Sequence, residues 1–276
     1  MLSSLAKLFG YLLNFLYEIF NNYGWALISF SILIKLAMLP LTIKQQRTIK
    51  KTSKIQQEIK AIQFKYKNDQ QKMNQEMMDV YKRENMNPMS GCFTSIIQII
   101  LILSVFYMVR SPLTYMKKID TEKIEAYKTR YVSTSTNYPE IEIIRNSEDE
   151  ETNINMNFFG LDLSSIPNIN YKDFKVYIIP VLYVLSSIIS TKMTMKAQNM
   201  MNVNTDEDKD ENSNNKNEEL ESMQSMNKGM SYMMPIMAVS ISLVAPLGLG
   251  LYWLMNNILM IAERILTDKI LSKEEE

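Results

Sequence analysis

A lysine inside a long apolar stretch, Lys35, is the residue whose position most strongly suggests a function. The stretch Trp25–Ile43 has about the 20 mainly apolar residues that cross a hydrocarbon core of about 30 Å. Lys35 precedes the end of this stretch by eight residues, or about 12 Å of helix. An ammonium group at that depth costs on the order of 2.5–3.5 kcal/mol, so we expect Lys35 to have a functional role.

Polar side chains of other apolar stretches reach a similar depth from the same side of the bilayer. Gln98 is about 10 Å from that side, and Asn256 and Asn257 are about 12–14 Å from it. We expect no carboxylate in any span, and therefore expect water around the ammonium group of Lys35. For any one serine, a hydrogen bond between helices is the more ordinary explanation. Taken together, the polar residues predict a substrate groove, open to the cytoplasm and closed to the outside, formed by Lys35, Ser31, Gln98, Ser187, Ser190, Trp253, Asn256 and Asn257.

Five apolar stretches position these residues and predict an all-α membrane protein with a bundle of five transmembrane helices. The predicted spans are residues 23–43, 91–109, 174–192, 232–246 and 247–266. The last two form one apolar tract, which we divide at Ala245-Pro246-Leu247-Gly248, because proline and glycine together favour a turn.

The segment before the first span, residues 1–22, predicts an amphipathic helix that lies in the membrane interface. A signal peptide is the alternative, but it fits less well, because no basic region precedes the apolar run and no A-x-A-type site follows it. The interfacial helix is predicted from polar residues that share one helix face, Lys7, Tyr11, Asn14 and Glu18.

The connecting segments set the expected orientation. Residues 44–88 contain 11 Lys/Arg and 5 Asp/Glu, and the positive-inside rule places them in the cytoplasm. The amino terminus and the loop 110–173 are then outside, whereas the loop 193–231 and the tail 267–276 are inside. Within the second cytoplasmic loop, the acidic and Asn-rich stretch Asn204–Glu221 predicts disorder. The expected location is the cell membrane, crossed several times.

The basic segment between the first two spans, residues 44–90, predicts a cytoplasmic helical hairpin with a turn at 66–69. Two interpretations of this hairpin stay open, the binding of lipid head groups and the docking of a partner. The helices are predicted from apolar residues at helical spacing, Ile55, Ile59 and Ile62 in the first arm and Met73, Met77 and Tyr81 in the second.

Composition excludes several other classes of protein. Lys+Arg and Asp+Glu both number 30, so the charge gives no reason to expect direct nucleic-acid binding. Histidine is absent and Cys92 is the one cysteine, which removes the commonest general base and any disulfide within the chain. We therefore expect no metal site, no cofactor and no enzymatic activity.

Four motifs, in order along the chain, resemble those of the YidC/Oxa/Alb family of membrane protein insertases. The resemblance is to the compact Gram-positive type, since we expect no large extracytoplasmic domain of the kind that Gram-negative members have. The resemblance covers nearly the whole chain, apart from Asn204–Glu221 and parts of 117–155. The motifs are Leu39-Pro40-Leu41-Thr42 after Lys35, Asn87-Pro88-Met89-Ser90-Gly91-Cys92 with Gln98, Phe159-Gly160-Leu161-Asp162-Leu163, and Pro246-Leu247-Gly248-Leu249-Gly250-Leu251-Tyr252-Trp253 with Asn256-Asn257.

The resemblance implies a function in which no covalent bond is made or broken. In this family a positive residue in a groove open to the cytoplasm attracts acidic or polar parts of an incoming membrane protein and so lowers the barrier to insertion. The implied partners are nascent membrane proteins and the lipid bilayer. The Sec translocon, the ribosome and the signal recognition particle pathway are further candidates.

Three departures from the family pattern have physical consequences. Lys35 stands where most members have arginine, so the charge is kept but the bidentate geometry is lost. Ser190 stands where many members have glutamine. The tail Thr267–Glu276 ends in three glutamates, which argues against the ribosome binding of long basic tails.

Two other functions are alternatives to the insertase. A small channel or transporter would need polar residues through the full depth of the bilayer or an internal repeat of spans, and the outer halves of the predicted spans are nearly all apolar. An enzyme embedded in the membrane would need a nucleophile with its base, or metal ligands.

Overall fold

The computed structural model describes residues 2–67, 69–85, 90–132, 136–200 and 237–273, and these residues are mostly helical. Four predicted features lie wholly or partly outside the described residues: the disordered stretch Asn204–Glu221, residues 232–236 of the fourth span, residues 87–89 of the second motif, and the three final glutamates. The helices are α1 (Leu2–Phe20), α2 (Tyr23–Lys65), α3 (Gln70–Arg83), α4 (Ser90–Arg110), α5 (Pro112–Tyr115), α6 (Thr121–Tyr131), α7 (Pro139–Asn146), α8 (Ile178–Met200), α9 (237–244) and α10 (Leu247–Lys273).

Two helical regions in the described part of the chain are long and apolar enough to cross a membrane. They are Tyr23–Lys51 in α2 and Phe174–Met193, which joins a 3₁₀ turn (Phe174–Tyr177) to α8. A shorter apolar helix covers Ile96–Arg110. The protein is therefore a mostly helical chain with two candidate membrane-spanning helices, and the bundle of five spans stays a prediction.

Helix α2 continues through the boundary drawn between the first span and the basic hairpin. It runs for 43 residues with Pro40 inside it, although an internal proline lacks the N–H that would bond to the carbonyl of Leu36. Strong helix formers, mainly Lys and Gln, follow the proline, and their propensities favour continuation of the helix. The change from apolar to basic composition after residue 43 therefore does not end the helix.

The chain folds as two compact units, each with its own apolar contacts. The larger core belongs to the first unit and includes Leu13, Leu27, Met108 and Leu249, all nearly inaccessible to solvent. Unit 1 comprises Met1–Ala37, Gln98–Ile188 and Pro235–Ala262, and unit 2 comprises Met38–Ile97, Ile189–Met234 and Glu263–Glu276.

Helix α1 has three distinct faces. One face packs into the core of unit 1 through residues that include Phe9 and Leu13. The polar face contains the hydrogen bond from Asn14 Nδ2 to Glu18 Oε1, at 2.6 Å. Between these two faces lies a row of exposed apolar side chains, spaced three or four residues apart as on a single helix face, Leu8, Tyr11, Phe15 and Ile19.

The packing of α1 on α5 depends on a glycine. A Cβ added at Gly10 would lie 2.0 Å from the carbonyl oxygen of Tyr115, so the two backbones approach more closely than any side chain allows. We expect Gly10→Ala to destabilise unit 1 by about 1–3 kcal/mol, as overpacking of a close contact does. Thermal unfolding in detergent measures this loss. Ser4→Ala on the exposed part of α1 introduces the same residue as a control, and an equal effect of the two substitutions would contradict the explanation.

The segment between α4 and the third predicted span is folded, and a buried carboxylate joins its parts. Glu140, at the start of α7, is 5% exposed. Its Oε2 accepts a hydrogen bond from the backbone N–H of Thr114 at 3.0 Å, and its Oε1 accepts one from the Thr114 hydroxyl at 2.6 Å. Burial raises the pKa of Glu140, and the two bonds from Thr114 partly oppose this effect.

The raised pKa of Glu140 predicts a specific dependence of stability on pH. The folded state holds the proton of Glu140 more tightly than the unfolded state does. Glu140 therefore contributes stability that is complete below the ordinary glutamate pKa of about 4 and is lost as the pH rises through the raised value. We expect Glu140→Gln to flatten the increase in melting temperature toward low pH, relative to Glu142→Gln on the same helix. Parallel pH profiles for the two variants would contradict this assignment.

A short β-hairpin and the turn after it anchor the start of α10. Strands β1 (Asn157–Phe158) and β2 (Leu161–Asp162) pair antiparallel. After them, the carbonyl of Leu163 accepts a hydrogen bond from the N–H of Gly248 at 2.8 Å, and that of Ser165 accepts one from Leu247 at 2.9 Å. These bonds satisfy N–H groups that a helix start leaves without intrahelical partners, and they fix the helix that carries Trp253, Asn256 and Asn257.

Within unit 2, α2 is followed by α3, with Tyr66, Lys67 and Asp69 between them. The carboxylate of Asp69 accepts a hydrogen bond from the N–H of Lys72 at 3.0 Å and so caps α3. An exposed ion pair joins Glu58 of α2 to Arg83 of α3, with Nη1 and Oε1 3.0 Å apart, and it holds the pKa of Glu58 below its usual value. The helices pack through a small apolar cluster, Ile55, Ile59 and Val80 with Ile62, Met77 and Tyr81.

Candidate functional site

The clearest contact of a groove candidate joins α8 to α10. Asn257 donates a hydrogen bond from Nδ2 to the hydroxyl oxygen of Ser186, at 3.3 Å. The Ser186 hydroxyl donates in turn to the carbonyl of Tyr183, at 2.8 Å. Ser186 is buried, whereas Asn257 is half-buried. One side of Asn257 is therefore fixed by α8, and part of its amide stays accessible.

An aromatic pair lies one helical turn from this hydrogen bond. The rings of Trp253 and Tyr183 have centroids 5.7 Å apart and planes inclined by 32°. Trp253 precedes Asn257 by four residues, so both lie on the same face of α10. The two side chains thus form, with Tyr183 and Ser186, a surface that is apolar at one end and polar at the other.

Helix α2 contributes Ser31 and Lys35, which also lie one turn apart. Ser31 is buried, and its hydroxyl donates to the carbonyl of Leu27 in the same helix at 2.8 Å. Its polar group is therefore satisfied locally. Lys35 is half-buried and makes polar interactions of its own. A half-buried lysine in a candidate span keeps part of its surface available to water or a ligand.

The remaining candidates differ in their exposure. Gln98 is exposed on α4, Ser187 and Asn256 are half-buried, and Ser190 is buried. Ser190 belongs to unit 2, whereas the other candidates belong to unit 1. Among the described residues, the hydrogen bonds and ring contacts join Asn257 and Trp253 to α8, and they do not extend to Ser31 or Gln98. The complete groove stays a prediction.

Sequence patterns missed two members of the α8–α10 contact and one carboxylate. Tyr183 and Ser186 were not among the groove candidates, although each lies three or four residues from Ser187 or Ser190, at the spacing of one helix side. Glu263 lies inside the predicted fifth span, close to its cytoplasmic end, and is half-buried. The expectation that the spans offer no carboxylate therefore holds for their central parts only.

The hydrogen bond between Ser186 and Asn257 allows a test of whether these residues mainly stabilise the packing of α8 against α10. Polar pairs between membrane helices are coupled by about 0.6 kcal/mol on average. We expect Ser186→Ala, Asn257→Ala and the double variant to give a coupling energy of that size in unfolding from detergent. A value several times larger would identify the pair as a structural lock. In that case its loss would disturb the fold before it disturbed any groove.

The described residues contain no group of His, Cys, Asp and Glu side chains that could hold a metal ion. Their arrangement combines candidate membrane-spanning helices, a half-buried lysine and polar side chains on neighbouring helices. The class that this fold indicates is a mostly helical membrane protein with two candidate membrane-spanning helices.

The chain belongs to the 60Kd inner membrane protein family, whose sequence pattern it matches over residues 15–274. It is 26% identical, over 273 residues, to a protein of Treponema denticola named membrane protein insertase YidC. Proteins of the same name are 39% identical over 110 residues in Cupriavidus necator and 43% identical over 100 residues in Buchnera aphidicola. The matches confirm the family resemblance of the motifs.

The alignments differ in how much of each protein they include. The Treponema alignment includes 99% of this chain and 38% of the relative. The Cupriavidus alignment includes 40% of this chain and 20% of the relative, and the Buchnera alignment includes 36% and 19%. The chain therefore spans about two fifths or less of the length of these relatives.

Proposed function

We propose that this protein is a membrane protein insertase and chaperone that makes and breaks no covalent bond. Polar or acidic segments of a nascent membrane protein enter a groove from the cytoplasm, where Lys35 attracts them. The observation that carries this proposal is a half-buried lysine in a candidate span of a chain that belongs to this family. The charge is useful at this position because electrostatic attraction strengthens as the effective dielectric falls below that of water.

The residues of the groove have separable roles in this proposal. Lys35 supplies the charge, and Gln98, Asn256 and Ser187 offer hydrogen bonds to the backbone of a passing segment. Trp253 gives an apolar surface next to them, supported by Tyr183. Ser31 and Asn257 shape the walls, since Ser31 is bonded within its helix and Asn257 to Ser186.

Contacts at the β-hairpin support the proposed course of the chain through the membrane. Trp25, near the start of α2, packs on Phe158 of β1, and β2 contacts the 3₁₀ turn that begins at Phe174. The first and third proposed spans thus begin at the same small hairpin and on the same side of a bilayer. The chain must return between them by an odd number of crossings, and α4 is the apolar helix available for one.

The proposed orientation puts this hairpin and the amino terminus outside and the basic hairpin of unit 2 in the cytoplasm. Helix α1 then lies in the outer interface, with its exposed apolar row toward lipid and its polar face toward water. In this arrangement the basic hairpin is accessible to cytoplasmic partners. Nascent membrane proteins are the proposed substrates, and the Sec translocon, the ribosome and the signal recognition particle pathway are proposed as candidate partners.

Insertion by the purified protein tests this function. Liposomes that contain the protein should insert a small single-spanning substrate into a protease-protected state, whereas empty liposomes should not. The same vesicles test the alternative, a small channel or transporter. Specific ion flux without assisted insertion would favour the alternative and overturn the proposal.

A further inference from the structure

An exposed aromatic cluster lies where the two candidate membrane-spanning regions begin. We call it the aromatic tip and define it as Trp25, Phe158 and Phe159. The Trp25 ring lies edge-on to both phenylalanines, with centroid distances of 5.5 and 5.7 Å, and the phenylalanine rings are 4.7 Å apart. Phe158 is buried, but Trp25 is 44% exposed and Phe159 is 79% exposed. A large part of the apolar surface of the tip is therefore exposed.

The backbone holds Phe159 in this exposed position. Phe159 and Gly160 form the two-residue turn of the β-hairpin, with φ of +52° and +76°. Two positive φ angles are typical of a type I′ turn, in which Asn-Gly is the favoured pair. Asn157 accepts a hydrogen bond from the N–H of Gly160 at 3.1 Å and closes the turn. The turn itself therefore does not call for a phenylalanine, and the exposed ring requires another explanation.

Further exposed aromatic residues precede α8 in the same unit. Tyr171 is 63% exposed and Phe174 is 76% exposed. Phe174 begins the 3₁₀ turn that contacts β2 and leads directly into α8. The exposed surface continues along this helix through apolar side chains that a lipid-facing helix would present, Ile178, Val181, Leu182 and Leu185.

We propose that the aromatic tip, with Tyr171 and Phe174, inserts into the lipid–water interface of the leaflet at which α2 and α8 begin. Aromatic side chains concentrate at this depth because their rings are apolar while their edges tolerate water. The tip is continuous with the exposed apolar faces of two candidate spans, which makes lipid the occupant. The inference rests on the proposed crossing of the membrane by α2 and α8, and it adds an anchor that fixes their depth.

Spin labels on single cysteines test the depth of the tip in the full-length protein. Cys92→Ser removes the one native cysteine, and Phe159→Cys then carries the label in phosphatidylcholine vesicles. The measurement is the accessibility of the label to oxygen, which concentrates in lipid, and to a water-soluble nickel chelate. Glu148→Cys, in the exposed acidic run, is the aqueous control, and Leu185→Cys is the control for a lipid-facing span.

We expect the label at residue 159 to be more accessible to oxygen and less accessible to nickel than the label at 148. Its depth should lie between those of the labels at 148 and 185. A second label at Tyr171→Cys should give the same result, which guards against distortion of the turn. High nickel accessibility at 159 and 171 would overturn the proposal, as would low accessibility to both reagents, which indicates a protein partner. If either of these two results is found while the label at 185 is exposed to lipid, the proposed spans stand and only the anchor is rejected.

Discussion

Lys35→Ala is expected to abolish the insertion of substrates whose exported segments carry Asp or Glu, while substrates with neutral exported segments retain most of theirs. The alanine variant removes the ammonium group that attracts the acidic segment. It also removes a burial cost of on the order of 2.5–3.5 kcal/mol, so the protein itself should be at least as stable in the membrane as the parent. Protease protection of both substrate types, in cells depleted of the native protein and supplied with the variant, measures the effect.

Lys35→Arg is the matched control for this prediction. Arginine keeps the positive charge in the same helix position and differs in geometry and hydration, so we expect it to preserve most insertion of both substrate types. Equal insertion of acidic substrates by the alanine variant and the parent would show that the charge of Lys35 is not the mechanism. Loss of both substrate types in the arginine variant would instead assign a role to the shape of lysine.

Opening the cytoplasmic hairpin is expected to reduce insertion strongly without removing the protein from the membrane. Ile59 of α2 and Val80 of α3 are 3% and 5% exposed and form the centre of the small cluster between the helices. Replacing both by serine should cost about 2 kcal/mol or more, as truncation of buried aliphatic side chains does. Since the apolar cluster of unit 2 is small, we expect its helices to separate. Limited proteolysis of the hairpin and protease protection of substrates measure the two effects.

The exposed ion pair of the same hairpin supplies a control. Glu58→Gln with Arg83→Gln removes the charges that join α2 to α3 at the surface, and exposed ion pairs contribute little to stability. We expect this variant to keep a protease-resistant hairpin and nearly normal insertion. Normal insertion by the serine variant, despite a cleaved hairpin, would contradict a role of the hairpin in delivery and favour its interpretation as a lipid-binding element.

Local patterns relate directly to contacts between neighbouring helices. Tyr66, Lys67 and Asp69 lie between α2 and α3, and apolar residues spaced along these helices, including Ile55 and Ile59, are buried where the helices meet. Periodicity succeeds here because it determines which face of a helix is apolar. The helix through Pro40 shows the limit of the same approach. The sequence changes from apolar to basic after residue 43, but α2 continues to Lys65.

Long-range contacts determine what the sequence could not predict. The buried bond between Glu140 and Thr114 joins residues 26 positions apart, and no local pattern identifies such a pair. Likewise, several serines lie along α8, and which one meets Asn257 depends on the rotation of that helix against α10. Packing selects Ser186, whereas spacing alone indicated Ser187 and Ser190. The polar residue types can be read from the sequence, but their pairings depend on how the helices pack.

Photo-crosslinking from the groove tests the central claim most directly. A photoreactive amino acid replaces Gln98, which is exposed on α4, or Leu185, which is exposed among the apolar residues of α8. Ribosomes stalled on a membrane protein with an acidic exported segment supply the substrate. The account predicts a strong adduct from residue 98 that weakens with Lys35→Ala, and little adduct from residue 185. Adducts from residue 185 alone, or adducts from residue 98 that do not change when Lys35 is replaced, would contradict a charged groove as the route of insertion.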